Sequence, residues 1–151
     1  MKYRIPIDAL KAVINPLDGD TWQVDPIDPQ EVVDAAQRGE ICDRPWAELQ
    51  AEGLPRELHR TFHVMRLAWL LSAPWDPDDI HKIMLCVSPD RVWFFDGNHR
   101  AAAAIVRGDP MIELHIADGG GRDLAILFPG LVAIGDSSAD PDPSDQGSAD
   151  T

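Results

Sequence analysis

The residues best suited to chemistry follow one another in the segment Asp-Gly-Asn-His-Arg, residues 96–100. The guanidinium of Arg100 can hold a phosphate group through two parallel hydrogen bonds, and Gly97 lets the backbone come close to an anion. We therefore predict a phosphate site in which Gly97, Asn98 and His99 offer backbone amides and Arg100 offers its side chain. The same spacing also suits an ordinary strand-to-helix turn with a surface arginine, and spacing alone does not decide between the two.

A strand and a helix must hold this segment in place. Residues 92–95 form an apolar run rich in aromatic and β-branched side chains, which predicts a buried strand. Four alanines follow Arg100 and favour a helix, with Asn98 predicted as its N-cap and Gly108 as the glycine that ends it. The first amides of such a helix have no partner within it, and the helix dipole adds positive charge at that end.

Two side chains of the segment are candidates for catalysis. The Asp96 carboxylate would hold Mg²⁺ or act as a base, or else it would accept amide hydrogens of its own turn, and the sequence leaves these roles open. His99 is the other acid–base candidate, because an ordinary imidazole titrates near neutral pH. If the protein is an enzyme, phosphoryl transfer or phosphodiester cleavage is the predicted class of reaction.

A long helix over residues 56–72 is predicted to supply a second wall of the site. Its apolar side repeats at helical spacing and consists of Leu58, Phe62, Met65 and Trp69. His59, His63 and Arg66 fall on another side, with Arg56 and Arg60 nearby. We interpret that side either as a solvated face or as the wall on which Arg66 and His63 close the phosphate pocket. His59 and His63 have the spacing of paired metal ligands, but no glutamate lies between them, so no metal site is predicted.

The other segments predict further strands and helices. The remaining predicted strands are residues 3–7, in which Pro6 indicates a sheet edge, 80–87, 111–116 and a short one at Trp22 and Val24. The remaining predicted helices are a single turn at residues 8–13 and two longer segments, residues 29–39 and 45–50. Residues 80–87 and 92–95 are predicted to pair as a hairpin, and residues 123–134 to pack back as a strand or short helix.

The composition is that of one acidic globular domain. The chain has 151 residues, of which 44% are hydrophobic, and 26 acidic side chains outnumber 13 basic ones for a formal charge of −13. We predict a domain over residues 1–135 and an acidic, disordered tail over 136–151. Cys42 and Cys86 match no metal or redox spacing and are interpreted as core thiols.

These properties also bound the partners and the location. A strongly acidic chain argues against binding of extended duplex DNA, which requires a cationic surface. No apolar stretch approaches the length of a membrane span, and the first residues lack the pattern of a signal peptide. We therefore predict no membrane contact and a cytoplasmic location.

The segment at residues 95–108, with the strand after it at 112–116, resembles the ParB/sulfiredoxin superfamily. The opening of the chain, Ile-Pro-Ile-Asp-Ala-Leu at residues 5–10, is similar to the beginning of ParB-type domains. The resemblance covers about residues 3–117. It implies an α+β fold in which a small mixed sheet is flanked by helices in a single domain.

The resemblance also implies roles for single residues. In that superfamily a Gly-x-x-Arg turn at a helix start holds nucleotide phosphates, and Gly97 and Arg100 match it. His99 matches the histidine before the arginine in sulfiredoxins, whereas Asn98 stands where their catalytic cysteine would be, so thiol–phosphate chemistry is excluded. The second nucleotide motif of partition proteins, Glu-Asn-x-x-Arg, does not follow Arg100, which argues against a complete chromosome-partition clamp.

The function implied is that of a stand-alone ParB-like domain that binds a nucleotide, CTP or ATP, or another phosphate ester, with Mg²⁺ as the accompanying ion. If such a domain is an enzyme, it is a nuclease, an NTPase or a phosphotransferase. The alternative is a non-catalytic interaction protein, such as a phage or mobile-element factor that keeps the ParB-like fold. The acidity and the aspartate-rich tail would suit a basic protein partner or nucleic-acid mimicry.

Overall fold

The computed structural model describes residues 1–72 and 83–135. Its strands are β1 Lys2–Pro6, β2 Met84–Val87, β3 Val92–Asp96, β4 Met111–Asp118 and β5 Val132–Ile134. Its helices are α1 Ile7–Val13, α2 Pro29–Gln37, α3 Trp46–Ala51, α4 His59–Ser72, α5 Asn98–Arg107 and α6 Leu124–Leu127. The predicted α+β fold, a mixed sheet flanked by helices in one domain, is confirmed. The predicted tail at residues 136–151 and residues 80–82 of a predicted strand lie outside the described residues.

The five strands form one sheet in the order β3-β2-β4-β1-β5. β2 and β4 run parallel, and the other neighbouring strands are antiparallel. The predicted hairpin is present as β2 and β3. The prediction that Pro6 marks an edge strand is wrong, because β1 lies between β4 and β5. A proline is tolerated there because β5 pairs only with Lys2, Tyr3 and Arg4, so the missing amide of Pro6 has no strand to bond to on that side.

One face of the sheet carries the core, and α5 covers it. The strand residues on this face alternate with exposed or half-buried ones, as in Ile112, Leu114 and Ile116 of β4, which are all buried. All four alanines at residues 101–104 of α5 are buried in the same hydrophobic core as these strand residues. α5 packs against α4 and α2, and α4 also packs against α2. The first turn of α5 is thereby held at the end of β3.

Several element boundaries differ from the predictions for local reasons. Residues 56–58 form a 3₁₀ turn, and the long helix α4 begins only at His59. Trp22 and Val24 are not in a strand, because the Val24 amide donates to the Gly19 carbonyl at 3.0 Å and closes a tight turn. Residues 123–134 contain both predicted alternatives, the short helix α6 and the strand β5.

Candidate functional site

A cavity of about 660 Å³ lies where the first turn of α5 faces α3, α4 and the loop before α2. Its polar wall includes Arg66 on α4 and residues 96–100, the segment singled out by its sequence. Its apolar wall includes Trp22, Trp46, Leu70 and Phe95. The structure thus brings together in one cavity the predicted residues Asp96, Gly97, Asn98, His99, Arg100 and Arg66.

The corner between β3 and α5 is built around Gly97. This residue has a φ of +86°, in the left-handed region that favours glycine, and a Cβ there would lie 2.8 Å from the Ile83 Cα. The prediction of Asn98 as the N-cap is wrong. Gly97 takes the non-helical cap position, so Asn98 is already the first helical residue and its side chain cannot cap the amides that follow.

No side chain of the described residues caps α5, and the first turn of this helix lines the cavity. The Ala101 amide donates to the Gly97 carbonyl at 2.9 Å and begins the helical pattern. Within residues 1–72 and 83–135, no acceptor meets the amides of Asn98 and His99. Their N–H groups and the positive end of the helix dipole are the elements of an anion site.

Asp96 has a structural contact inside the corner. One oxygen of its carboxylate accepts the Gly97 amide at 2.7 Å, which confirms the alternative that this residue stabilises its own turn. Asp96 is exposed at the cavity rim, and its second carboxylate oxygen can still meet a cation. Among the described residues, no three His, Cys, Asp or Glu side chains come together as a metal site.

Arg66 projects from α4 into the cavity that Arg100 lines from α5. Its guanidinium carbon lies 4.5 Å from the centre of the Trp69 ring. Its Nη1 is buried and makes no hydrogen bond within the described part of the chain. Burial lowers the pKa of Arg66, and the nearby positive charge of Arg100 acts in the same direction. The negative charge of Asp43 acts in the opposite direction, and an arginine stays protonated at neutral pH, so Arg66 brings a positive charge to the cavity.

His63 is not in contact with the cavity, contrary to the prediction that it closes the pocket. It is fully buried, at 0% exposure, because it faces the aromatic interior between α3, α4 and α5. Its Nδ1 lies 2.8 Å from Nε2 of His99, which does line the cavity. The Trp22 ring stacks over both imidazoles at centroid distances of 4.5 and 4.7 Å. His63 therefore reaches the site only through His99.

Both imidazoles of this pair are neutral at pH 7. Burial lowers the pKa of His99 to about 3, and His63 and Arg66 contribute to the shift. Burial likewise lowers the pKa of His63 to about 4, with a contribution from His59. An imidazole with so low a pKa carries no proton to give as a general acid, and it is a weak base. The expectation that His99 titrates near neutrality is therefore wrong.

The other basic side chains predicted near Arg66 do not form one surface with it. Arg60 donates to the two carboxylate oxygens of Glu31 on α2 at 2.9 and 2.6 Å. His59 is bonded to the Leu54 carbonyl at 2.9 Å, and Arg56 donates to the Gln23 carbonyl. These contacts tie α4 to its neighbours, so the predicted cationic wall of the pocket reduces to Arg66 on this helix.

The sequence did not single out the aromatic wall of the cavity. Trp22 lies in a proline-rich loop, and its spacing gives no sign that it stacks on two histidines 41 and 77 residues later. Phe95 was assigned to a buried strand, yet it is 76% exposed at the cavity rim. The alternation of side chains along β3 could have predicted this exposure, because Phe94 and Phe95 must point to opposite faces of the sheet.

No family model, curated protein or solved structure matches this chain. None of the helices in residues 1–72 and 83–135 is long and apolar enough to cross a membrane.

Proposed function

We propose that the protein binds a phosphate ester, in the first instance a nucleotide, in the cavity at the start of α5. The observation that carries the proposal is the position of Arg66. The buried Nη1 of this half-buried guanidinium has no hydrogen-bond partner within the described residues, although the chain holds twice as many acidic side chains as basic ones. It faces the same cavity as the uncapped start of α5.

The two walls of the cavity suit the two parts of such a ligand. The Asn98 and His99 amides, Arg66 and Arg100 together offer hydrogen-bond donors and positive charge to the phosphate group. The Trp46 and Phe95 rings line the same space and can contact an apolar or planar organic part. A volume of about 660 Å³ is also within the range of small-molecule sites and larger than a bare phosphate ion needs.

The geometry favours binding over acid–base catalysis by this chain. His99 is neutral at pH 7 and its Nε2 is engaged with His63, so it has no proton to deliver as an acid. If the ligand arrives with Mg²⁺, the second oxygen of Asp96 would hold the ion together with phosphate oxygens, because Mg²⁺ sites often use only one or two protein carboxylates. The likeness of residues 97–100 to the ParB/sulfiredoxin turn supports the same ligand class.

Binding of CTP, ATP and inorganic phosphate, each with and without Mg²⁺, tests the proposal by calorimetric titration. We expect Arg66→Ala to weaken binding of the tightest of these ligands by tenfold to a hundredfold, because a charge-assisted hydrogen bond contributes about 1.5–3 kcal/mol.

Arg38→Ala is the matched control for charge. It removes one positive charge from an exposed ion pair with Glu40, away from the cavity, and should leave affinity within about twofold. The proposal fails if wild-type protein binds none of these ligands, or if the two arginine variants lose affinity equally.

A further inference from the structure

The hydrogen bond between His63 and His99 allows two arrangements of its hydrogens. Its ends are Nδ1 of His63 and Nε2 of His99, 2.8 Å apart, and one of them must carry the hydrogen. Because both rings are neutral at pH 7, each has a single N–H group. Either His63 donates and His99 keeps its own hydrogen on Nδ1, or His99 donates and His63 keeps its hydrogen on Nε2.

The surroundings of His63 separate these arrangements. Its Nε2 is buried and has no hydrogen-bond partner among the described residues. Around the ring lie the aromatic side chains of Trp22, Trp46 and Phe62. If His99 donated, a buried N–H of His63 would be left without an acceptor. Buried N–H groups without a partner are rarer in proteins than under-used acceptors, so the arrangement in which His63 donates has the lower free energy.

We infer that His63 is a positioning residue: its hydrogen bond keeps the hydrogen of the neutral His99 ring on Nδ1. From there His99 can donate to an anion in the cavity, and this part of the inference rests on the proposed function. His99 lines the cavity, and its Nδ1 has no partner within the described residues. The Trp22 ring, parallel to both imidazoles within 18°, holds the two rings in this register. His99 then adds one directed N–H to the amides at the start of α5.

The first test reads the tautomer directly, without any ligand. Long-range ¹H–¹⁵N spectra of the full chain at pH 7 distinguish Nδ1–H from Nε2–H imidazoles, and the His99→Gln variant assigns the His99 signals. We expect His99 to carry its hydrogen on Nδ1 and His63 to carry its hydrogen on Nδ1 as well. A hydrogen on Nε2 of His99 overturns the inference.

The second test asks whether His63 acts through its donor. His63→Leu removes the donor, so His99 is no longer held in the Nδ1–H form, and we expect inorganic phosphate to bind about tenfold more weakly. The variant should still fold, because leucine fills the apolar site, but it should be less stable than the wild type because Nε2 of His99 loses its hydrogen-bond partner. His63→Gln keeps an N–H that can donate to Nε2 of His99 and should retain phosphate affinity within about threefold.

These measurements separate the inference from the proposed function. If CTP, ATP and phosphate all fail to bind the wild type while His99 carries its hydrogen on Nδ1, the proposed function falls and the tautomer assignment stands. If phosphate binds but His63→Leu binds it as tightly as the wild type, the positioning role is overturned and the proposed function stands. An equal loss of phosphate affinity in His63→Leu and His63→Gln also overturns the positioning role, because the side-chain amide of glutamine then fails to restore the affinity.

Discussion

Replacing Gly97 by alanine should destabilise the protein by about 3 kcal/mol. Two costs combine at this position. A residue with a side chain is strained at a φ of +86°, and its Cβ would lie 2.8 Å from the Ile83 Cα and 2.9 Å from the Ile83 Cγ1. The backbone of Ile83, a buried residue directly before β2, cannot move aside cheaply, so the corner itself must shift. Urea unfolding of the wild type and Gly97→Ala measures the difference.

Gly108 at the other end of α5 provides a matched control. It also has a left-handed backbone, with a φ of +74°, but a Cβ there would meet nothing within 4 Å. Gly108→Ala should therefore cost only the backbone strain, about 1 kcal/mol. The difference between the two variants isolates the contact with Ile83. Equal destabilisation of the two would show that this contact does not hold the corner in place.

Lowering the pH from 7 to 5 should destabilise the protein by about 2 kcal/mol for each histidine of the His63–His99 pair. The folded-state pKa values, about 4 and about 3, lie below the ordinary value of 6.5, so the unfolded chain binds more protons in this range. The contribution of the two neutral histidines to the free energy of unfolding is complete above pH 6.5. It is lost as the pH falls from 6.5 toward the folded-state pKa values of about 4 and about 3. Urea unfolding at pH 7, 6 and 5 measures the slope.

The acidic side chains contribute in a lower pH window and do not obscure this effect. Arg60 lowers the pKa of Glu31, and Arg4 lowers that of Glu113, so these carboxylates lose their stabilisation only below about pH 4.5. The His63→Leu variant lacks one of the two titrating groups and should lose about half as much stability between pH 7 and 5. A wild-type stability that stays constant over this range would contradict the neutral pair.

Local sequence patterns were sufficient for the elements that carry the site. The aromatic run, the glycine and the alanines of residues 92–108 each favour one conformation, and the strand, turn and helix follow directly. One local error concerns the exposed Phe95, and another concerns Asn98, whose preference for the N-cap is outweighed by the ability of Gly97 to adopt a left-handed backbone. Glycine has no side chain to accept the amide hydrogens of Asn98 and His99, so these amides stay without a partner among the described residues. The pattern of residue types does not reveal this.

The tertiary environment of α4 could not be predicted from its spacing. A helical projection separates one side of a helix from another, but it does not say which side meets a neighbour. His63 lies on the side that packs against α5 and Trp22, so a residue expected at the pocket is instead fully buried behind it. Arg60 was likewise expected beside a pocket and is bound by Glu31, 29 residues earlier in the chain.

The parts of the cavity come from distant stretches of chain: Trp22 from a loop, Trp46 from α3, Arg66 from α4 and residues 97–100 from α5. These residues meet only when the chain folds, so we expect only the folded molecule to bind the proposed phosphate ester. By mass action such a ligand would stabilise the folded state. A concentration one hundred times the dissociation constant should raise the free energy of unfolding by about 2.7 kcal/mol, seen as a higher melting temperature.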